Sequence, residues 1–182
     1  MRFDMIVARH ASALMAALGL CLIAAGPALA DGGGSGSDKT TCPRGEVYDA
    51  RSNGCVKQGS EVLPDKALAD YAYALAKEER YDEALDILNQ LKNKNTPEAL
   101  NYRGYATRKL GRVDEGIAYY RKSVALDPRY AQVREYLGEA YVIKGEFGHA
   151  EAQLRAIKTI CGTGCEQYVH LAQAITNRSA SW

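Results

Sequence analysis

Five cysteines and three histidines are the residues of this 182-residue sequence best suited to covalent or metal chemistry. Cys21 and His10 fall within the first thirty residues, which read as a secretory leader. Arg2, Arg9 and His10 give it a basic start, Ala11 to Ala25 is apolar, Gly26-Pro27 breaks the helix and Ala28-Leu29-Ala30 supplies small residues for cleavage before Asp31. The apolar run is about fifteen residues, short of the roughly 20 that a spanning helix needs, so no membrane span is expected after cleavage. Leu20 stands before Cys21 where lipoprotein signals carry Gly, Ala or Ser, which sets lipid attachment aside.

Cys42, Cys55, Cys161 and Cys165 survive cleavage, and an even set in an exported chain reads as disulfides, with three pairings formally open. Chain proximity favours Cys42 with Cys55 and Cys161 with Cys165. The first pair closes a loop with a chain-entropy contribution of about 3 kcal/mol. The second brackets Gly162-Thr163-Gly164, a flexible turn that lets two cysteine side chains meet. A metal site of Cys161, Cys165 and His170 is the competing chemistry. Zinc sites normally show four ligands at tighter paired spacing, so the disulfide is preferred and no metal or other cofactor is expected. No serine or cysteine lies in a nucleophile motif and no glycine-rich phosphate cradle follows a strand, so the chain does not read as an enzyme. His149 reads as a solvated helix residue beside Glu146.

Charge points away from nucleic acid. Twenty-three basic residues face 22 acidic ones, and the leader removes Arg2, Arg9 and Asp4, which leaves the exported chain neutral. No basic field remains to hold nucleic acid or anionic lipid.

The elements that position these residues are legible from a near-repeat. Shifting the sequence by 34 residues lays Tyr102 on Tyr136, Gly104 on Gly138, Ala106 on Ala140, Gly111 on Gly145 and Arg121 on Arg155. A period of this size means stacked helix pairs. Residues 31–41 contain GGGSGS and read as a flexible linker, and residues 42–60 read as a small Cys-loop, extended at Glu46, Val47 and Tyr48 and turning at Ser52-Asn53-Gly54. Helical spacing then runs through Leu68, Tyr71, Ala72 and Leu75, and again through Ala84, Leu88 and Leu91. Thr96, Pro97 and Glu98 form a helix start, Gly111 and Gly145 mark bends, and Asp127-Pro128 ends a helix. Leu137, Gly138, Ala140 and Tyr141 continue the plan, followed by Ala150, Leu154 and Ile157.

Residues 65–96, 97–130 and 131–164 resemble tetratricopeptide repeats. Ala72, Gly104 and Gly138 match the small-residue slot of the family's first helix, Ala84 and Ala150 that of its second, with Gly116 replacing the alanine in the middle unit. Tyr81, Val113 and Phe147 match the apolar residue after the inter-helix turn. The resemblance implies an all-α fold, a right-handed superhelix of three helix-turn-helix repeats, with residues 165–177 as a capping helix whose Gln167, Gln173 and Asn177 face outward; the repeat domain spans 65–177. Residues 42–55 also resemble the opening of the invertebrate-type chitin-binding module, which uses six cysteines where only two lie nearby here.

In the repeat family the inner surface comes mainly from first helices, which implies a peptide-binding groove of Tyr73, Lys77, Tyr102, Tyr105, Arg108, Lys109, Glu135, Tyr136 and Glu139. Twelve tyrosines against two phenylalanines suit such a surface, because tyrosine offers rigid area and a hydroxyl. Arg108 and Lys109 against Glu135 and Glu139 imply opposite charges at the two ends of the groove. One subgroup grips a C-terminal carboxylate with lysine, asparagine and arginine. At those places stand Ala69 and Tyr73, then Tyr102, then Gln132 and Tyr136, so binding of peptides ending in EEVD is not expected. The functional expectation is an exported, periplasmic scaffold that binds a peptide or helix of an envelope protein. Glycan binding or anchoring through the Cys42–Cys55 loop and Tyr48, and self-association through an open end of the stack, are the alternatives.

Overall fold

The computed structural model describes residues 41–59 and 63–178, so the leader, nearly all of the Gly/Ser-rich linker and Cys21 lie outside the described residues. The described chain opens with a hairpin, β1 (Glu46–Asp49) antiparallel to β2 (Gly54–Lys57), with Val47 opposite Val56 and Tyr48 opposite Cys55. Asn53 takes the left-handed conformation that a tight turn requires, φ 50°. Cys42 and Cys55 face each other with Cα atoms 5.8 Å apart, within disulfide reach.

Among the described residues seven helices follow: α1 (Asp65–Lys77), α2 (Tyr81–Gln90), α3 (Pro97–Lys109), α4 (Val113–Leu126), α5 (Ala131–Ile143), α6 (Phe147–Cys161) and α7 (Glu166–Asn177). They form three antiparallel pairs, α1 with α2, α3 with α4 and α5 with α6. Each pair packs on the next, and the first helices α1, α3, α5 and α7 also touch in sequence. Each hairpin turn is made the same way. At each turn one residue past the helix end donates backwards, Arg80 to the Leu75 carbonyl, Arg112 to Thr107 and Glu146 to Tyr141, which satisfies carbonyls that the helix end leaves open. The residue before each donor has positive φ. It is glycine at 111 and 145 but Glu79, φ 62°, in the first pair. At the start of α3 the Thr96 hydroxyl accepts from the Ala99 N–H at 3.1 Å, the capping its sequence signals.

The core is a row of small residues under large ones. Ala72, Ala84 and Ala150 are fully buried. A Cβ on Gly104 would stand 2.7 Å from the Tyr120 ring, and one on Gly116 would stand 3.0 Å from both the Gly104 carbonyl and the Arg108 Cβ, so these glycines set how closely α3 and α4 approach. Gly138 leaves the space that the buried Leu171 of α7 fills. Thus α7 stands against α5 as a fourth first helix. Cys161 and Cys165 bracket the turn into it with Cα atoms 6.0 Å apart.

The hairpin is docked on the first pair. Val47 and Cys42 are buried in the same core as α1, and the Tyr71 hydroxyl accepts from the Cys42 N–H at 3.0 Å while donating to the Glu46 carbonyl at 3.1 Å. Arg44 adds an ion pair to Glu83 on α2. Among the described residues no helix is long and apolar enough to cross a membrane.

Candidate functional site

The tyrosines of the first helices meet because α1, α3 and α5 touch one another in sequence. Tyr73 on α1 stacks on Tyr102 of α3 with ring centroids 4.5 Å apart and lies edge-on to Tyr105 at 6.0 Å; Tyr105 in turn meets Tyr136 of α5 at 5.1 Å. Hydroxyls close the same network. Tyr73 and Tyr136 share a hydrogen bond of 2.7 Å, Gln132 donates to Tyr73 at 3.3 Å, and Tyr130 donates to Gln132 at 3.0 Å. Asn101 donates to Tyr130 and Gln132 at 3.1 and 3.2 Å. The result is a wall of rings across α1, α3 and α5 in which the Tyr73, Tyr130 and Tyr136 hydroxyls are hydrogen-bonded, while Asn101 Oδ1 is buried without a partner.

Behind the wall lies an ion pair. Arg108 donates to Glu139 at 3.0 Å and to the Tyr120 hydroxyl at 3.3 Å, beneath the faces of Tyr105 and Tyr136. Arg108 is 2% exposed. It is therefore a strut of the wall and not a surface cation. The charges expected at opposite ends of the groove are joined here instead, because Gly116 makes room for the arginine stem and Glu139 lies within reach on the next first helix.

In front of the wall is a groove of about 540 Å³. Of the expected residues, Tyr73, Lys77, Tyr105, Glu135, Tyr136 and Glu139 line it. Tyr102 supports Tyr73 from a neighbouring cleft, and Lys109 stands over the Tyr105 ring at 5.8 Å, as Lys77 does. Helix α7 supplies what the sequence reading placed elsewhere. Gln167, Gln173 and Asn177 line the groove, Gln173 and Asn177 as exposed residues, on the face of α7 that the packing of Leu171 on Gly138 sets beside α5. Glu166 and His170 join them, and Gln132 completes the lining from α5. Adding one more period to Tyr136 reaches His170, the signal by which its place on the groove was findable.

Burial governs the electrostatics. It raises the carboxyls of Glu135 and Glu139 above the ordinary carboxylate range, only partly offset by His170 at the first and Arg108 at the second. His170 Nδ1 lies 2.9 Å from Glu135 Oε1. Burial also pushes the Tyr105 hydroxyl up to about 12 and, with Arg108 nearby, lowers the Lys109 ammonium. His170 therefore faces Glu135 on the groove, while Cys161 and Cys165 face one another. Among the described residues no group of three or more His, Cys, Asp and Glu side chains is arranged to hold a metal. Tyr48 bonds through its hydroxyl to Asn53 and, with Pro64, Ala67 and Tyr71, borders a second cleft of about 380 Å³ between hairpin and α1.

Comparison with known proteins agrees with this fold. The tetratricopeptide repeat family model matches residues 97–130. The chain is similar in fold to the second TPR domain of human RPAP3, solved with the HSP70 peptide SGPTIEEVD, at 18% identity and a TM-score of 0.52, over 60% of this chain and 92% of that one. It is likewise similar to the Yersinia enterocolitica type III secretion translocator chaperone SycD, at 16% identity and TM-score 0.53, over 63% and 87%. The first TPR domain of human RPAP3 matches at 17% identity and TM-score 0.53, over 63% and 94%. No curated protein matches the sequence.

Proposed function

Starting from a chain that carries a tetratricopeptide repeat at residues 97–130 and folds as such domains do, we propose that it is an exported protein-interaction scaffold that holds a peptide segment of an envelope protein in the groove of α1, α3, α5 and α7. The observation that carries this reading is the tyrosine wall. Its rings are fixed by one another and by the Tyr73–Tyr136 hydroxyl bond, which gives a rigid amphipathic surface of the kind that binds chains with little loss of side-chain freedom. The RPAP3 domain of the same fold was solved with a bound peptide, which favours a peptide as guest. The chain acts as a binder and not as a catalyst.

Export is the second part of the proposal. It is supported by the leader-like residues 1–30 and by the two cysteine pairs within bonding reach. Oxidised, the first pair fastens the docked hairpin and the second fastens α7 to α6, so both ends of the stack are stapled. The hairpin then serves as the cap of the first pair.

The test uses the protein purified after export and peptides selected against it from a randomised display library. Amide shifts on α1, α3, α5 and α7 on peptide addition are expected. Selection of no peptide, or shifts confined to the second helices or the hairpin, would overturn the groove assignment. N-terminal sequencing of the exported protein is expected to begin at Asp31.

A further inference from the structure

The groove carries more negative charge than its own residues answer. Glu135 and Glu139 sit one turn apart on the same face of α5 and are only 5% and 6% exposed, yet both border the groove. Glu135 uses Oε1 toward His170, and Glu139 uses Oε2 toward Arg108. Among the described residues, neither Glu135 Oε2 nor Glu139 Oε1 has a hydrogen-bond donor or ion-pair partner. A carboxylate offers several acceptor sites, so each keeps accepting capacity toward the groove. Glu166 adds a third carboxylate at the rim, 4.0 Å from His170. The one ammonium in the lining, Lys77, stands over the Tyr105 ring and pairs with none of the three.

We propose that the partner segment carries a lysine or arginine whose cationic head seats between Glu135 and Glu139, with Glu166 at its outer side; the proposal rests on the groove reading above. The surroundings suit such a side chain along its whole length. The rings of Tyr73, Tyr105 and Tyr136 offer an apolar flank for the aliphatic stem, while the carboxylate oxygens not used by His170 and Arg108 stand at the head. Burial of the pair strengthens the attraction, since less water screens it. An acidic segment meets the opposite condition. Its carboxylates would approach three of like charge in a partly desolvated groove, a repulsion that selects against it. Specificity therefore runs opposite to that of a site for acidic peptide tails.

The experiment uses the same display library and exported protein. Groove-bound peptides are expected to share a lysine or arginine. Replacing an arginine in a selected peptide by citrulline, which keeps shape and removes charge, leaves the protein untouched and is expected to weaken binding about tenfold, as is Glu135→Gln in the protein. Glu166→Gln, on an exposed residue that the fold does not need, is expected to weaken it about threefold. Peptides that map to the groove without a basic residue, or a citrulline exchange without effect, would overturn this inference and leave the groove reading standing. Peptides that map elsewhere, or none selected, overturn both.

Discussion

Arg108 on α3 donates through Nη2 to Oε2 of Glu139 on α5, 3.0 Å away, and the two side chains are only 2% and 8% exposed. The bond ties the second helix pair to the third, with the Tyr105 and Tyr136 rings over the guanidinium. A desolvated pair of this kind adds little over a matched apolar pair, but either partner left alone is a buried charge.

Arg108→Met is therefore expected to lower stability by about 3–5 kcal/mol, because Glu139 remains without its guanidinium. Adding Glu139→Met to that variant should recover a large part of the loss. Urea unfolding of the two single variants and the double variant measures this. Additive losses would contradict the pairing.

Glu79 occupies a left-handed position, φ 62°, that glycine fills in the next two repeats at 111 and 145. A side chain there crowds the following carbonyl. Glu79→Gly is expected to raise stability by about 0.5–1 kcal/mol, a gain rare for a glycine introduced into a repeat. Thermal unfolding of the variant checks it, and a lowered midpoint would refute the strain.

The period made the helix pairs, the bends at Gly111 and Gly145 and the cap at Thr96 readable, since each depends on residues close in sequence. The site was readable in part. Nine side chains follow from repeat position, yet position alone does not tell whether a residue faces the groove or the layer beneath it. Arg108 goes beneath because Gly116, in another helix, leaves space for its stem. The seating of α7 beside α5 depends likewise on one contact between distant residues, Leu171 on Gly138. Such choices are made by packing between helices, which no local pattern records.

Tyr71 is the clamp of the hairpin, since its hydroxyl serves both the Cys42 N–H and the Glu46 carbonyl. Tyr71→Phe leaves a buried donor and acceptor unmatched, so a loss of about 1–3 kcal/mol is expected. Amide exchange at Cys42 and across β1 should accelerate more than exchange in α5. Uniform acceleration would mean the hairpin is not held by this hydroxyl.

Glu135 sets a pH dependence. Burial, the largest influence, lifts its carboxyl above the ordinary 4.5, while His170, Glu139 and Glu166 face it. The folded protein then keeps a proton that the unfolded chain has released, so this group's contribution to stability falls as pH rises from about 4.5 through the raised value. Glu135→Gln removes that contribution. Its stability relative to the parent is expected to improve from about pH 4.5 to about pH 7; an unchanged difference in chemical unfolding would count against the buried carboxylate.

The rings of Tyr73, Tyr102, Tyr105 and Tyr136 are held by each other before any guest arrives. Such a surface does not mould itself to what it meets. On the proposed function, a segment of the wrong contour gains nothing by waiting for the receptor to rearrange, so discrimination would be made at first collision and the guest alone would have to change shape.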